Sequence, residues 1–299
     1  MRSSDSYGQL LLRLQTQLEP QPDKPEENPG NTLDALWLCA QGAPSSARTA
    51  PTKTLSALAP PQMARLHELV QRRLSGTPLA HLTGRKHFME MELLAGPDAL
   101  VPRIETEILA RAALDAAAKL AGSVAAPRIL DVCTGSGNVA LALATHLPKA
   151  IVGGCDLSAA AIDLARRNAA HLGLSDRVQF RTGDLLEPFR DAEWAGHIDL
   201  LTCNPPYISS AKVPAMAPEI ADFEPAMAFD GGPFGVSILM RLLNECPDVL
   251  RPGGWVAFEV GLGQGPAMEK RLKANGHFGA IEVRRDHNEH IRAILAQRA

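Results

Sequence analysis

Apolar residues recur at helical spacing in the first part of the chain, interrupted by two segments rich in proline and polar residues. Residues 60–75 carry one apolar stripe, which ends at Gly76. Its members are Met63, Leu66, Leu69, Val70 and Leu74. Residues 31–40 predict a shorter helix capped by Asn31 or Thr32. The intervening segments, 19–30 and 41–53, predict loops. We therefore expect a small helical domain over about the first 80 residues, loosely packed around these loops.

Further along, the pattern changes to strands that alternate with helices. "HFMEMELLAG" alternates as a strand does, and "PRIETEILARAALDAAAKLAG" has the spacing of a long helix. After Pro127, short apolar runs alternate with helical segments; the runs are RILDVC, IVGGCDLS, VQFRTGD, HIDLLTC and WVAFEVG. This alternation predicts an α/β fold with a parallel, doubly wound sheet. The predicted divisions are a helical N-terminal domain with proline-rich loops (1–84), a hairpin and linker (85–110) and the sheet domain (111–299).

Composition narrows the partners and the compartment. The chain has 299 residues, 45% of them hydrophobic, which suffices for a sizeable core. Its formal net charge of -3 disfavours nucleic acid as the main partner, because proteins that contact many phosphates are usually basic. Five cysteines without a C-x-x-C pair favour a reducing cytoplasm over a disulfide framework or a zinc module. No apolar run reaches the roughly 18 residues of a membrane span.

A glycine-rich turn, "DVCTGSGN" (131–138), follows the first strand of the predicted sheet. Gly135 and Gly137 permit a tight turn and close approach of a ligand to the backbone. Asp156 ends the next strand, where a carboxylate can accept both hydroxyls of a ribose, and Asp184 ends the third, within reach of an adenine edge. Residues 135–140 also satisfy the G-x-G-x-x-A form of the dinucleotide fingerprint. S-adenosylmethionine, a dinucleotide and a purely structural turn all stay open here, as does a capping role for Asp184.

Two consecutive prolines follow the buried run "HIDLLTC", in the tetrapeptide Asn204-Pro205-Pro206-Tyr207. An amide or exocyclic amine nitrogen is a weak nucleophile, because its lone pair is delocalised. A site that methylates such a nitrogen must hold it in line with the methyl donor. The Asn204 side-chain oxygen and the Pro205 carbonyl can accept its two N–H groups, while the prolines fix φ and Tyr207 offers a flat face. The alternative is a rigid exit from the strand.

Six separated motifs occur in order between about residue 60 and the C-terminus. They are "PLAHLTGRKHF" (78–88), "VPRIETEIL" (101–109), "NPPYI" (204–208), "FEP" (223–225), "GGPFG" (231–235) and "EVGLGQ" (259–264). Together they resemble the HemK/PrmC family, whose members methylate the glutamine amide nitrogen in the Gly-Gly-Gln motif of peptide-chain release factors. The resemblance implies a Rossmann-like, seven-stranded methyltransferase domain preceded by a small helical domain. It also implies S-adenosyl-L-methionine as the cofactor and a release factor as the protein substrate.

The resemblance assigns site residues one by one. The substrate clamp falls on Asn204, Pro205, Pro206 and Tyr207. Cofactor contacts fall on Asp131, Cys133, Thr134, Gly135, Ser136, Gly137, Asp156, Leu157, Asp184, Leu185, Asn204, Arg103 and Glu105. Glu107 continues the segment that borders the cofactor pocket, and the pair Glu224–Pro225 matches one near the substrate loop. No metal site is predicted.

Two positions depart from the family pattern. Cys133 stands where the family has the first glycine of its loop; a Cβ is tolerated there only at a negative φ, so we expect reduced cofactor affinity. Ile104 stands where the family has a second proline.

Three alternatives stay open: an adenine or guanine amino methyltransferase, a binding module with impaired cofactor affinity, and an NAD-dependent oxidoreductase. We expect a cytoplasmic monomer that forms no stable complex with nucleic acid.

Overall fold

The computed structural model describes residues 4–19, 21, 23–120 and 124–299. They divide into two compact units. The first comprises Met1–Pro97, Val101–Arg103 and Met216–Glu224, and the second comprises Asp98–Leu100, Ile104–Ala215 and Pro225–Ala299. The sequence predicts boundaries between domains at residues 84 and 110. That the chain folds as separate parts with these boundaries stays a prediction. The hairpin of its middle segment lies in the first unit, whereas the helix that begins at Thr106 lies in the second.

Helices and strands are numbered in chain order. The helices are α1 (Ser4–Gln17), α2 (Pro29–Gln41), α3 (Pro60–Leu74), α4 (Leu79–Thr83), α5 (Thr106–Leu120), α6 (Asn138–His146), α7 (Ala159–His171), α8 (Pro218–Ala221), α9 (Ser237–Val249) and α10 (Gly265–Ala274). The strands are β1 (Arg85–Phe88), β2 (Met91–Leu94), β3 (Arg128–Val132), β4 (Ile151–Asp156), β5 (Val178–Thr182), β6 (Ile198–Cys203), β7 (Leu250–Glu259), β8 (Phe278–Arg285) and β9 (Ile291–Arg298). None of the helices in the described part of the chain is long and apolar enough to cross a bilayer.

The first unit has a core of its own, so the expected loose packing is wrong. Its fully buried residues include Leu14, Leu33, Leu36, Trp37, Leu66, Leu69 and Val70. The connecting loops are tied down as well, since the Trp37 indole donates to the Ser56 carbonyl over 2.8 Å. Met216–Glu224 belongs to this unit because Glu219 pairs with Lys24 at 2.7 Å and with Arg73 at 3.0 Å.

Two local predictions in the first unit need correction, and one helix was missed. The second helix begins at Pro29, because the Asn28 side chain accepts the Asn31 N–H and caps it; Asn31 and Thr32 lie inside the helix. The segment predicted as one strand is the antiparallel hairpin β1–β2, which turns at Met89 with φ 51°. Helix α1 was not predicted from the sequence.

The second unit contains a seven-stranded sheet in the order β5-β4-β3-β6-β7-β9-β8. Strands β3 to β7 run parallel, and β9 and β8 close one side in antiparallel fashion. The predicted α/β fold with a doubly wound sheet is therefore confirmed. From β3 the chain builds outward through β4 and β5, then returns to place β6 and β7 on the other side of β3. Ligands bind at such a switch in strand order, beyond the carboxyl ends of the strands.

Candidate active site

Four polar or reactive positions meet at the carboxyl edge of the sheet. Val132 of β3 lies beside Cys155 of β4 and Cys203 of β6, and Cys203 lies beside Phe258 of β7. The residues that follow in register are therefore brought to one edge: Cys133, Asp156, Asn204 and Glu259. The predicted neighbourhood of the glycine loop and the Asn-Pro-Pro-Tyr segment follows from this pairing of β3 with β6.

The backbone of the glycine loop is fixed by hydrogen bonds that force Cys133 into the left-handed region. Its φ is 56°, so the condition for tolerating a Cβ, a negative φ, is not met, and the expected reduction in cofactor affinity stays a prediction. The next residue, Thr134, donates its N–H to the Cys155 carbonyl over 2.9 Å, and its carbonyl accepts the Gly137 N–H over 2.8 Å. This turn holds the loop against β4. Cys155 and Cys203 are fully buried and Cys133 packs against the same core, as expected of small apolar side chains.

The two loop glycines have different surroundings. Gly137 has φ 81°, and a Cβ there would lie 2.9 Å from Phe180 Cζ and 3.1 Å from Ala165 Cβ. Gly135 has φ 55°, but a Cβ there would have no neighbour within 4 Å. Gly137 is thus required by the packing of α6, whereas Gly135 leaves space beside the backbone for a ligand.

Asp131 connects the glycine loop to β6 through two hydrogen bonds. Its two carboxylate oxygens accept the hydroxyls of Thr134 at 2.6 Å and Thr202 at 2.7 Å. Burial raises the pKa of Asp131 to about 6, against the lowering effect of the two hydroxyl donors. The predicted role of Asp131 in cofactor contact stays a prediction.

Asp156 joins the loop to the end of β4. One carboxylate oxygen accepts the Gly135 N–H and the other accepts the Ser158 N–H, both at 2.9 Å. Burial raises the pKa of Asp156 above its ordinary value, opposed by these two hydrogen bonds. The next side chain, Leu157, is 59% exposed although apolar. A carboxylate with unused lone pairs beside an exposed apolar surface suits a nucleoside, whose sugar is polar and whose base is flat.

The other predicted cofactor residues lie at or near this edge, with one exception. Asp184 is half-buried and forms an ion pair with Arg241 at 2.7 Å. Leu185 is buried with φ 46°, and its carbonyl accepts the Cys155 thiol over 2.9 Å. The buried Ser136 hydroxyl has no hydrogen-bond partner among the described residues, so it is available to a ligand. Arg103 is the exception, because it lies in the first unit.

Within the first unit, Arg103 belongs to an ion pair with a buried carboxylate. Its guanidinium lies 2.6 Å from Glu224, which also accepts the Val101 N–H over 2.9 Å. Glu107, in the second unit, is half-buried and pairs with Arg111 on the same helix at 3.3 Å. The cofactor contacts predicted for Arg103 and Glu105 stay predictions.

The side chain of Asn204 is oriented by a relay of hydrogen bonds. Its Nδ2 donates to Thr106 Oγ1 over 3.1 Å, and Thr106 in turn donates to Glu259 Oε2 over 2.7 Å. No residue in the described ranges donates to Asn204 Oδ1. The amide oxygen is therefore left available as an acceptor, which is the role that the sequence predicts for it.

Both the side chain and the backbone of Tyr207 are fixed by hydrogen bonds. Its hydroxyl hydrogen-bonds to the Glu259 carboxylate, and its carbonyl accepts Gln264 Nε2 over 3.0 Å. Glycines pack against the clamp backbone: a Cβ on Gly231 would lie 2.5 Å from the Pro206 carbonyl oxygen, and one on Gly235 would overlap that of Tyr207. The "GGPFG" motif is thus explained by close approach of two backbone segments.

The loop after the clamp is closed at its base. The Ile208 N–H donates to the Phe229 carbonyl over 2.9 Å, and the Gly231 N–H donates back to the Ile208 carbonyl over 2.8 Å. Ile208 and Asp230 form a parallel bridge. Residues 209–229 therefore leave the site and return to it between fixed ends.

Sequence reasoning missed three residues of the site: Thr106, Thr202 and Glu259. Thr106 and Glu259 lie inside motifs that carried the family resemblance, but neither was given a role. The sequence feature that could have identified such residues is a polar residue in or beside an otherwise apolar buried run. Thr202 lies within β6, and Glu259 lies at the end of β7. Among the described residues, no group of three or more histidine, cysteine or acidic side chains could hold a metal ion.

Comparison with known proteins places the chain in a family. A family model described as a methyltransferase domain matches residues 129–223. A protein of Moorella thermoacetica named release factor glutamine methyltransferase is 38% identical over 241 residues, covering 81% of this chain and 82% of the relative. A protein of the same name from Streptomyces coelicolor is 41% identical over 196 residues, covering 66% and 67%. The chain belongs to the release factor glutamine methyltransferase family.

Membership of the release factor glutamine methyltransferase family confirms the resemblance found in the sequence, and the chain is a methyltransferase. The fold is also found in more distant proteins. The catalytic domain of hMettl16, crystallised with a MAT2A 3′UTR hairpin, aligns with a TM-score of 0.53 at 14% identity, covering 79% of this chain and 81% of that one. At this identity the likeness concerns the fold alone.

Proposed function

We propose that this protein transfers the methyl group of S-adenosylmethionine to the side-chain amide nitrogen of a glutamine, in the Gly-Gly-Gln motif of a peptide-chain release factor. The observation that carries this proposal is the orientation of Asn204. Its NH2 group is committed to Thr106, which leaves its oxygen as an acceptor at the end of β6, next to the glycine loop. Family membership supports the same substrate.

The loop and its neighbours fit the proposed cofactor. Asp156 would accept the ribose hydroxyls, and the exposed Leu157 side chain would lie against the adenine. The open side of Gly135 and the unpartnered Ser136 hydroxyl would face the methionine part. The cofactor supplies an electrophilic methyl group. The contacts proposed for Asp184 and Leu185 belong to the adenine side of the same pocket.

The clamp acts on the substrate amide by positioning. Asn204 Oδ1 and the Pro205 carbonyl accept its two N–H groups and so direct the nitrogen lone pair toward the methyl group. The amide nitrogen becomes more positive in the transition state, so the two acceptors bind its N–H groups more strongly there than in the bound substrate. They therefore lower the barrier to transfer. The nitrogen gains the methyl group and releases one proton to solvent. Tyr207 provides a flat surface for the planar amide.

The test is intact-mass spectrometry of a purified release factor incubated with this enzyme and S-adenosylmethionine. We expect a gain of one methyl group that is lost when the glutamine of the Gly-Gly-Gln motif is replaced. A matched reaction with Asn204→Ala, whose cofactor binding is measured by calorimetry, controls for methylation by contaminants. Absence of any gain with the unaltered enzyme, despite bound cofactor, would refute the proposed substrate.

The proposal extends to the state of the protein. We infer a cytoplasmic monomer without a stable nucleic-acid complex. The net charge of -3 supports the absence of nucleic acid, and the five free cysteines support a reducing cytoplasm. Light scattering and a gel-shift assay at low and high salt test the monomer and the absence of nucleic acid. An amino methyltransferase of nucleic acid and a cofactor-impaired module are not favoured, because the similar relatives carry the release-factor name.

A further inference from the structure

One buried carboxylate lies behind both polar residues of the clamp. Glu259 is the last residue of β7 and is 1% exposed. It accepts the Thr106 hydroxyl at 2.7 Å and is hydrogen-bonded to the Tyr207 hydroxyl. Its other oxygen lies 3.9 Å from the Arg292 guanidinium. The residues before and after it, Phe258 and Val260, are fully buried, so this acid stands in an apolar part of the sheet.

Burying a carboxylate costs free energy unless donors satisfy it, and here they include the two hydroxyls that lead to the clamp. Thr106 begins α5, Asn204 follows β6, and Glu259 ends β7, so three elements converge on the relay. None of these three side chains is adjacent in sequence to another. Their convergence therefore depends on how α5 packs on the sheet.

The relay has a direction that follows from proton counting. A hydroxyl has one proton, and Thr106 gives it to a carboxylate that, when ionised, can only accept. Thr106 Oγ1 can then only accept from its other neighbour, so the Asn204 side chain must present its NH2 group to it. The Asn204 oxygen is consequently turned away from Thr106. With no acceptor at position 259, the Thr106 hydroxyl could donate to the Asn204 oxygen instead. The side-chain amide of Asn204 would then flip, so that its oxygen and its NH2 group exchange places.

We propose that Glu259, through Thr106 and directly on Tyr207, is a positioning residue that sets which end of the Asn204 amide meets the substrate. This inference rests on the proposed function of the clamp. A turned amide would present a donor to the N–H groups of the substrate glutamine. Transfer would slow, while cofactor binding would be unaffected because Asp156 and the glycine loop do not take part in the relay.

Three substitutions test the relay, two of them isosteric. Thr106→Val removes the hydroxyl at equal size. Glu259→Gln replaces a carboxylate, which when ionised can only accept, by an amide whose NH2 group can donate to Thr106 Oγ1. Thr106→Ser keeps the hydroxyl without the methyl group. We expect the first two to lower kcat for release-factor methylation about 10- to 100-fold. The KM for release factor and the Kd for cofactor should stay within about threefold, and Thr106→Ser should stay within about threefold of the unaltered enzyme. Glu193→Gln, at an exposed ion pair with Arg128, is the matched control.

The double variant sharpens the test. Since Thr106 and Glu259 act in series on Asn204, combining the two substitutions should cost little more than the worse one alone. Fully multiplicative losses would contradict the series arrangement. Unchanged kcat in both single variants, or a loss that matches a rise in the Kd for cofactor, would overturn the proposal.

A substrate-free measurement separates this inference from the proposed function. The Asn204 side-chain NH2 signals in a 15N NMR spectrum, assigned by their disappearance in Asn204→Ala, should exchange slowly with solvent in the unaltered protein. They should exchange faster in Thr106→Val and Glu259→Gln. Equal exchange in all three proteins would overturn the relay even if methylation proceeds. Failure of the unaltered enzyme to methylate release factor would instead overturn the proposed substrate. The exchange measurement would still test the relay, because it needs no substrate.

Discussion

Replacing each loop glycine by alanine should separate stability from cofactor binding. In both positions alanine must adopt a left-handed φ, which costs about 1 kcal/mol. At Gly137 the added methyl group would also lie 2.9 Å from Phe180 and 3.1 Å from Ala165, and such overpacking costs about 1–3 kcal/mol more. Gly137→Ala should therefore lower the free energy of unfolding by about 2–4 kcal/mol in total.

Gly135→Ala has no such clash, because no atom lies within 4 Å of the added methyl group. It should lower the free energy of unfolding by only about 1 kcal/mol. The methyl group would instead occupy the open side of the loop, so the affinity for S-adenosylmethionine should fall at least about tenfold.

Urea unfolding followed by circular dichroism measures the stability of both variants, and calorimetry measures their cofactor affinity. The two variants are each other's control, since they introduce the same methyl group at the same kind of backbone position. The reasoning is refuted if Gly135→Ala is the less stable variant, or if it binds cofactor as tightly as the unaltered protein does.

Three further predictions concern the reaction and its loop. Asn204→Ala should lower the transfer rate at least about 100-fold and change the Kd for cofactor less than about tenfold, because an acceptor used in the transition state is lost; single-turnover assays and calorimetry check this, and normal turnover would contradict the clamp. Burial raises the pKa of Glu259 to about 7, with Thr106, Arg292 and Tyr207 lowering it and Glu105 raising it. Protonation there frees the Thr106 hydroxyl, so kcat should fall as the pH falls through about 7; Glu259→Gln should abolish this step, and a step that persists would assign it to another group. Cys133→Gly should change the free energy of unfolding by less than about 1 kcal/mol, because relief of the left-handed φ is offset by the added freedom of glycine in the unfolded chain; a larger loss in urea unfolding would show that the thiol itself stabilises the loop.

The sheet and the meeting of its two motifs could be predicted because both follow from local patterns. Alternating strand and helix patterns specify a doubly wound sheet, and such a sheet places the loop after β3 beside the segment after β6. The place of Asn204 next to the glycine loop needed no other information.

The relay behind the clamp could not be predicted, because it depends on contacts between distant parts of the chain. Thr106 and Glu259 are 153 positions apart, and only the packing of α5 on the sheet brings them together. The left-handed φ of Cys133 could not be predicted either, for a related reason. Steric preference favours a negative angle, but the hydrogen bonds of Thr134 to β4 outweigh it. The start of α2 was wrong by a few residues, since three of the residues between 28 and 32 are suitable caps.

The closed base of the loop over residues 209–229 gives the site a modular construction. Two backbone hydrogen bonds, from Ile208 to Phe229 and from Gly231 to Ile208, fix the ends of this loop independently of the side chains within it. The acceptors of the clamp lie before the closure, so they stay in place when the parts of the loop outside Met216–Glu224 change in length or sequence. We therefore expect recognition of the protein substrate to evolve, or be re-engineered, through the residues of this loop outside the ion-paired stretch Met216–Glu224, with the chemistry of methyl transfer inherited unchanged.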